Sequence, residues 1–219
     1  MGDHSTIRVF RIFASIQGES TAAGLPCSFV RLAGCPLRCE YCDTKDARDS
    51  LGQEMRVDQV VQSVLELGHG LVEVTGGEPL HQPGAPALLD ALCDAGLEVM
   101  LETSGAFSTA EIDPRVKIVL DVKTPGSGMV DRVRLDNLER LRPESDEIKF
   151  VITSRDDFDW AVSLALETGI AGRLPLLVSP VRGAVDPADA AKWVLESEAP
   201  LRLQLQLHKI IWGEEGEHR

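Results

Sequence analysis

Short apolar runs alternate with segments of helical periodicity along most of the chain. Buried strands are predicted at six runs rich in valine, leucine and isoleucine, namely 27–33, 71–75, 97–102, 117–122, 147–152 and 174–179. Helices are predicted at 57–68, 85–95, 132–141, 156–168 and 187–197. Strands that alternate with helices form parallel sheets. The pattern therefore predicts a single α/β domain over residues 1–219, built as a partial barrel or as an open doubly wound sheet of about six parallel strands.

The last part of the chain has a different pattern. Residues 201–212, L-R-L-Q-L-Q-L-H-K-I-I-W, alternate apolar and polar side chains, which predicts a final strand with one solvent-facing side. In a barrel and in a doubly wound sheet alike, ligands bind at the C-terminal ends of the strands. The first predicted strand ends beside a cluster of cysteines, so this edge of the sheet is the expected place for chemistry.

Composition narrows the classes of function. The chain has 219 residues, 43% of them hydrophobic, and a net charge of −13. So acidic a protein is a poor general ligand for nucleic acid, because phosphate contacts need clustered lysine and arginine. There is no apolar stretch of membrane-spanning length and no apolar signal segment, so we expect a cytoplasmic protein with no membrane partner. Five cysteines, an odd number, argue for a reducing compartment, and Cys27 and Cys93 are expected to be buried in apolar surroundings.

The other three cysteines, Cys35, Cys39 and Cys42, have the spacing C-x3-C-x2-C. Thiolates are the ligands that iron–sulfur clusters and zinc select. Three thiolates on a [4Fe–4S] cluster leave one iron open, and that iron can bind a small molecule through an amine and a carboxylate. The alternative is a zinc site completed by a histidine such as His69, His81 or His208. The spacing is unusual for zinc, where C-x2-C pairs dominate, and the sequence has no second pair.

The stretch T-G-G-E-P at 75–79 ends the second predicted strand. Its glycines allow close approach of the backbone, their N–H groups can meet a carboxylate, and Glu78 can accept an ammonium group. Taken alone, a simple strand-to-helix turn would explain it. Together with the three cysteines it resembles the radical S-adenosylmethionine superfamily. In that superfamily the cysteines hold a [4Fe–4S] cluster, whose open iron binds S-adenosylmethionine, and G-G-E-P receives the amino end of that cofactor.

Further motifs narrow the resemblance. They are I-F-A-S-I-Q-G-E-S (12–20), F-V-R-L-A-G-C (29–35), L-E-T-S-G (101–105), L-D-V-K (120–123), D-E-I-K-F-V-I (146–152) and L-Q-L-H-K-I-I-W-G (205–213). Together they resemble the 7-carboxy-7-deazaguanine synthases over residues 7–213, nearly the whole chain. Two alternatives remain, another radical enzyme such as a glycyl-radical activase, and a binding module with a purely structural metal. A glycyl-radical activase would give the I-Q-G-E and H-K motifs no function. A purely structural metal would not explain G-G-E-P.

The resemblance implies a site, position by position. The cluster would be held by Cys35, Cys39 and Cys42, and Mg²⁺ by Thr44. The implied substrate-binding residues are Ile16, Gln17, Gly18, Glu19, Arg31, Thr75 and His208. The implied S-adenosylmethionine-binding residues are Gly77, Glu78, Glu102, Ser104, Asp121, Val122, Lys123 and Ser179. Two positions differ from the familiar family pattern. This chain has Asp121-Val122 where the family commonly has Ser-Pro, and Ser179 where it commonly has glutamine.

The resemblance also implies an activity. It is the conversion of 6-carboxy-5,6,7,8-tetrahydropterin to 7-carboxy-7-deazaguanine by radical ring contraction with loss of ammonia, a step of 7-deazapurine (queuosine) biosynthesis. It implies a reduced TIM-like barrel with a radical SAM core, a homodimer, and a reductase such as flavodoxin as electron donor. No protein base for the final proton loss can be named from the sequence, and the tail E-E-G-E-H-R (214–219) has no assigned role.

Overall fold

The computed structural model describes residues 6–213, whose strands form one nine-stranded sheet. The strands are β1 (Thr6–Ile16), β2 (Pro26–Leu32), β3 (Gln53–Arg56), β4 (Leu71–Gly76), β5 (Glu98–Thr103), β6 (Lys117–Lys123), β7 (Glu147–Ile152), β8 (Leu176–Pro180) and β9 (Leu201–Leu203). The helices are α1 (Lys45–Asp49), α2 (Val57–Leu67), α3 (Ala85–Asp94), α4 (Asp136–Arg140), α5 (Arg155–Glu167), α6 (Pro187–Glu196) and α7 (Leu207–Trp212). The tail 214–219 lies outside the described residues. Among the described helices, none combines the length and the hydropathy that a membrane crossing requires.

The sheet is a barrel that does not close. Its strand order is β3-β1-β2-β4-β5-β6-β7-β8-β9, with β3 and β9 at the two edges of the described sheet. Neighbours from β2 to β9 run parallel, while β1 pairs antiparallel with both β2 and β3. The prediction of an α/β partial barrel is confirmed, and the long antiparallel strand β1 is added to it.

The six predicted parallel strands are all present close to their predicted bounds, and two other predictions were wrong in part. The predicted helix 132–141 is reduced to α4 at Asp136–Arg140, after a single 3₁₀ turn at Val130–Arg132. The predicted strand 201–212 contains only β9, Leu201–Leu203, and continues into α7. Backbone pairing with β8 ends where the Gln204 amide donates to the Val178 carbonyl at 2.8 Å. The alternating residues after Gln204 therefore do not extend the strand.

Alternation along the parallel strands separates an apolar outer face from a polar interior. On β7, Ile148 and Phe150 pack in the outer core beneath the helices, whereas Lys149 between them points into the barrel. The same holds on β4, where Val72 and Val74 face outward and Glu73 faces inward. An apolar cluster closes the interior on the side of the strand N-termini, formed by Cys27, Phe29, Leu71, Met100 and Val119. Lys149, Glu102 and Asp121 lie beyond this apolar floor, toward the strand C-termini.

Candidate active site

A single pocket at the C-terminal ends of the strands gathers most of the predicted site residues. Those that line it are Ile16, Gln17, Gly18, Glu19, Arg31, Cys35, Cys39, Cys42, Thr44, Thr75, Gly77, Glu102, Ser104, Asp121, Lys123 and His208. They lie on six different segments of the chain. Four of these end or follow the parallel strands β2, β4, β5 and β6, whose C-terminal ends meet at one edge. The Q-G-E loop instead begins beside Pro26 at the start of β2, and His208 lies on α7. The prediction that chemistry belongs at this edge agrees with the geometry.

The three cysteines follow β2 in a loop that is held against α1. The Gly34 amide donates to the Ala47 carbonyl at 2.9 Å, and the Cys35 amide to the Arg48 carbonyl at 3.2 Å. All three thiols are free and half-buried, and burial raises the pKa of Cys35 to about 11. Metal binding must therefore displace a proton from Cys35, since the thiolate is the ligand.

A zinc site finds little support in this geometry. Within residues 6–213, no three histidine, cysteine or acidic side chains converge closely enough to hold a single metal ion. His69 and His81 do not line the pocket, and His81 packs against the Phe107 ring with the centroids 5.7 Å apart. A four-iron cluster is wider than a single ion and does not need its thiolates to converge on one point. The three thiols of one pocket wall fit such a cluster.

The G-G-E segment packs directly on the start of the cysteine loop. The Gly77 amide donates to the Leu32 carbonyl and the Glu78 amide to the Gly34 carbonyl, both at 3.0 Å. A Cβ atom on Gly77 would lie 2.1 Å from the Gly34 carbonyl oxygen. The expectation that both glycine amides serve a ligand carboxylate is therefore wrong for Gly77. That glycine is required because two backbones meet there.

Gly77→Ala is expected to displace the cysteine loop, since backbone on both sides cannot yield without movement. We expect a loss of unfolding free energy of about 1–3 kcal/mol, as for other overpacked sites, and a lower iron content after reconstitution. Gly70→Ala is the matched control, because Gly70 precedes the same strand and its Cβ would meet no atom within 4 Å. Urea unfolding and iron assays check the pair, and equal behaviour of the two variants would contradict the packing argument.

Three predicted residues do not line the pocket. The Glu78 carboxylate is buried and accepts hydrogen bonds from Thr103 Oγ1 at 2.7 Å and from Ser104 Oγ at 2.6 Å, which braces the ends of β4 and β5. Val122 packs in the outer core because its neighbours on β6 face inward. Ser179 Oγ donates to the Gln204 carbonyl at 2.9 Å. Their contacts with S-adenosylmethionine stay predictions.

Lys149 lies at the centre of the pocket, and the sequence reasoning missed it. Its side chain is 3% exposed, and its Nζ donates to Glu102 Oε1 at 2.5 Å and to Glu19 Oε2 at 2.8 Å. Asp121 Oδ2 lies 3.6 Å from the same ammonium and accepts from Lys123 Nζ at 2.8 Å. The network ties the Q-G-E loop to β5, β6 and β7. A lysine within the otherwise apolar run E-I-K-F-V-I was the available indication.

The network fixes the charges of its members. Burial by itself would lower the pKa of Lys149, but the negative charges of Glu102, Glu19 and Asp121 raise that pKa well above its usual range. Burial likewise opposes ionisation of Glu19 and Asp121, yet the neighbouring lysines hold the pKa of each below its usual value. Glu102 differs, because burial raises its pKa more than Lys149 lowers it. The pocket therefore has an ionised centre, formed by Lys149 with Glu19 and Asp121.

Asp121 provides a direct test of whether the residues fit a second ligand. Its Oδ1 atom is buried and has no hydrogen-bond partner among the residues that the structure describes. An unpartnered buried acceptor is costly, so a donor from a bound molecule would be stabilising there. The ammonium and ribose hydroxyls of S-adenosylmethionine are donors of this kind. Asp121, Glu102 and Ser104 together therefore fit that molecule.

The C-terminal motif closes over the Q-G-E loop. The Leu207 amide donates to the Gly18 carbonyl at 2.9 Å, and Gln206 Nε2 to Glu19 Oε1 at 2.7 Å. The His208 ring lies so near Gly18 that a Cβ there would come within 2.2 Å of Nδ1. Burial lowers the pKa of His208, so its imidazole is neutral near pH 7. Two motifs almost 190 residues apart thus form one wall of the pocket.

Further pocket residues were not predicted as part of the site. They are Phe13, Ser15, Phe29, Leu37, Tyr41, Asp43, Glu73, Gly76, Thr103, Val151, Val181, Gln206 and Lys209, besides Lys149. Lys209 Nζ donates to Asp43 Oδ2 at 2.6 Å and so joins α7 to the end of the cysteine loop. The acidic Glu73 interrupts the apolar run L-V-E-V-T, which is the same indication that Lys149 offered.

The open barrel, the three-cysteine loop and the G-G-E segment packed against it define an enzyme of the radical SAM class. A family model described as the Radical SAM superfamily matches residues 30–162. The chain is 44% identical over 215 residues to 7-carboxy-7-deazaguanine synthase of Chlorobaculum tepidum, covering 97% of each chain. It is 39% identical over 224 residues to the synthase of Koribacter versatilis, covering 95% of this chain and 98% of the relative. The chain therefore belongs to the 7-carboxy-7-deazaguanine synthase family of the radical SAM superfamily.

The fold agrees with a solved structure. The crystal structure of QueE from Escherichia coli superposes with a TM-score of 0.73 at 22% sequence identity, covering 93% of this chain and 95% of that one. This likeness confirms the radical SAM fold. Membership of the superfamily implies a [4Fe–4S] cluster and S-adenosylmethionine as cofactors, in agreement with the cysteine loop.

Proposed function

We propose that this enzyme converts 6-carboxy-5,6,7,8-tetrahydropterin to 7-carboxy-7-deazaguanine, with ring contraction and loss of ammonia. The observation that carries the proposal is the composition of the pocket. The Q-G-E loop, Arg31 and His208 line the same cavity as the three cysteines and Asp121. The motifs specific to the synthase family and those common to the superfamily therefore act on one bound substrate.

The cofactors would be held by residues of two walls. Cys35, Cys39 and Cys42 would ligate the cluster, and Asp121, Glu102 and Ser104 would receive the donors of S-adenosylmethionine. When bound, these groups supply one-electron radical chemistry, and the protein supplies binding and orientation. The network around Lys149 keeps the Glu102 and Asp121 side chains in place before any ligand enters.

Charge orients the proposed substrate. The interior carries Glu19, Glu102 and Asp121, which favour the N–H donors of the pterin ring and disfavour its carboxylate. Arg31 lines the same pocket, with its guanidinium carbon 5.8 Å from the Phe13 ring centroid. A guanidinium is suited to paired hydrogen bonds with a carboxylate. The substrate carboxylate is therefore directed to Arg31 and the ring to the acidic interior.

Thr44 supports the proposed Mg²⁺ site. It is the N-cap residue of α1, but its hydroxyl makes no capping hydrogen bond, and it lines the pocket. The alternative, that Thr44 only caps the helix, is therefore weakened. Magnesium in proteins commonly keeps several waters and takes oxygen ligands from the substrate, so one protein hydroxyl beside a substrate carboxylate is sufficient for such a site. The proposed role of Thr44 is to place the ion beside the carboxylate that Arg31 binds.

An anaerobic incubation tests the proposal. The reconstituted, reduced enzyme is mixed with S-adenosylmethionine and 6-carboxytetrahydropterin, with and without Mg²⁺, and the products are identified by mass spectrometry. Formation of 7-carboxy-7-deazaguanine supports the proposal, and a slower reaction without Mg²⁺ supports the role of Thr44. Formation of 5′-deoxyadenosine without that product would mean that the radical chemistry is right and the substrate is wrong.

Arg31→Gln is expected to raise KM for the pterin by about 10–100-fold, because a hydrogen bond to a charged group contributes about 1.5–3 kcal/mol. Arg11→Gln is the matched control. Arg11 pairs with Arg31 across β1 and β2 and also lies over the Phe13 ring, 5.6 Å from its centroid, but it does not line the pocket. Steady-state kinetics should show the change for Arg31→Gln alone, and equal KM values for both variants would exclude Arg31 as the carboxylate ligand.

Three expectations stay predictions, two of them from the family resemblance and the third, the location, from the composition. They are a homodimer, a flavodoxin-type electron donor and a cytoplasmic location. We propose in addition that residues 1–219 form one domain, since the nine strands of the described part belong to a single sheet.

A further inference from the structure

Glu73 is a buried acid in the pocket with no role in the function proposed above. It lies on β4 between Val72 and Val74, which face the outer core, so its own side chain points into the barrel. The residue is 4% exposed. It is on the same strand face as Thr75, two residues nearer the start of β4, and is in register with Phe29 and Met100 of the apolar floor.

The carboxyl of Glu73 has no counterion of its own. Five carboxyl groups line the pocket, on Glu19, Asp43, Glu73, Glu102 and Asp121, and three ammonium groups, on Lys123, Lys149 and Lys209. Lys209 pairs with Asp43, Lys149 pairs with Glu19, Glu102 and Asp121, and Lys123 pairs with Asp121. Within residues 6–213, no lysine, arginine or histidine forms an ion pair with Glu73. A buried carboxylate without a cation is costly, so this group keeps its proton.

The surroundings of Glu73 act in the same direction. The titratable and charged side chains that face it are Glu19 from the loop after β1, Cys27 from β2, Glu102 from β5 and Lys149 from β7. Burial and then the charge of Glu102 raise the pKa of Glu73 to about 8, while the Gln17 amide and Lys149 oppose them. Burial also raises the pKa of Cys27 strongly, so the thiol adds no charge. Near pH 7, Glu73 is a neutral carboxylic acid.

The neighbouring amide fixes how that acid is used. Gln17 Oε1 accepts a hydrogen bond from the Glu19 amide at 3.0 Å, which leaves Gln17 Nε2 to donate to Glu73 Oε2. Glu73 therefore accepts from Gln17 through Oε2, while Oε1 takes part in no hydrogen bond among the described residues, so the proton of the neutral acid belongs on Oε1 as its O–H. The side chain lines the pocket, so this O–H is available to a ligand.

We propose that Glu73 donates a hydrogen bond from its neutral carboxylic acid to an acceptor atom of the bound heterocycle, a carbonyl oxygen or a ring nitrogen. The proposal rests on the proposed function for the identity of that heterocycle. Ionised carboxylates only accept hydrogen bonds, so Glu19 and Asp121 can bind only the donor groups of a ligand. The amide edge of a pterin has an acceptor beside its N–H donors. Glu73 supplies the donor that this edge requires and so contributes to specificity.

Substrate binding as a function of pH tests this role without turnover. The cluster-loaded enzyme with S-adenosylmethionine and no reductant is titrated anaerobically with 6-carboxytetrahydropterin by calorimetry at pH 7 and pH 9. For the wild type we expect the Kd to rise about tenfold over this interval, as for a group with a pKa of about 8 that must be protonated. Two buffers of different ionisation enthalpy should show the uptake of about one proton on binding at pH 9.

Two variants separate a hydrogen bond from a simple charge effect. Glu73→Gln keeps a donor that does not titrate, so we expect binding near the wild-type value at pH 7, little change at pH 9 and no proton uptake. Glu73→Leu has no donor, so we expect binding about tenfold weaker at pH 7, with little pH dependence. Thermal unfolding verifies that each variant is folded, and Glu73→Gln remains informative if Glu73→Leu is not.

The outcomes distinguish this proposal from the function on which it rests. If Glu73→Gln loses affinity with pH as the wild type does, or if folded Glu73→Leu binds as tightly as the wild type at pH 7, the donor role is wrong. In both cases wild-type binding of the pterin leaves the proposed substrate intact. If the wild type does not bind the pterin at either pH, the proposed function fails and the role of Glu73 fails with it.

Discussion

Replacing Cys39 by alanine is expected to abolish turnover and to lower the iron bound per chain. Cys39 is one of three thiols in the loop that lines the pocket. Three thiolates bind three irons of a four-iron cluster and leave one open, so loss of any thiolate leaves the cluster with too few protein ligands. Enzymes accelerate their reactions by about 10⁶-fold or more, so loss of the group that carries the chemistry returns the rate to background. Iron and sulfide analysis, together with product formation, measures both effects.

Cys93→Ala is the matched control for this prediction. Cys93 lies on α3, packs in the outer core and does not line the pocket. Its removal shortens a small buried side chain, which should cost about 1 kcal/mol of stability and leave iron content and turnover unchanged. If Cys39→Ala retained the iron and the activity of Cys93→Ala, the cysteine loop would not be the cluster site.

The parallel strands could be predicted from the sequence because each is a short apolar run, and segments of helical periodicity separate most of these runs. Such a run is buried on its outer face by helices and can hardly form anything but a strand. The edges of the sheet lacked this property. β3 is the polar segment Q-E-M-R, and β9 has three residues, so their pairing depends on neighbours that the sequence does not identify. β1 was missed because it pairs antiparallel with both β2 and β3 and so lies outside the alternation of strands and helices that indicates a parallel sheet.

Sequence motifs predicted only those residues of the candidate site that belong to a motif. Cys35, Cys39, Cys42 and G-G-E-P have fixed local spacings, and the Q-G-E loop and His208 came from the resemblance. The interior network has no such spacing, because Lys149 and Glu19 are 130 residues apart and meet only through the strand register. The sequence did contain an indication, since Glu73 and Lys149 each interrupt an apolar strand. A charge in the middle of a buried strand indicates the inside of a barrel.

Lys149→Met is expected to lower the free energy of unfolding by about 3–5 kcal/mol, the usual cost of removing one partner from a buried ion pair. The ammonium is in contact with Glu102 and Glu19 and is 3.6 Å from Asp121, so its loss leaves three buried carboxyl groups with only Lys123 nearby. Urea unfolding of the cluster-free chain measures the change. Lys192→Met is the matched control, since Lys192 pairs with Asp189 on an exposed face and its loss should lie within experimental error.

The pH dependence of this variant decides whether charge is the cause. Asp121 keeps Lys123 as its partner, but Glu19 and Glu102 lose their main counterion, so burial raises the pKa of both above their unfolded values. The folded variant then binds protons that the unfolded chain releases. A group of this kind favours the folded state at low pH and loses that contribution as the pH rises through its folded pKa. The deficit of Lys149→Met should therefore be smaller at pH 5 than at pH 8. A deficit that does not change with pH would mean that Lys149 acts through packing, and the account of the pocket as a charge-fixed scaffold for its ligands would have to be abandoned.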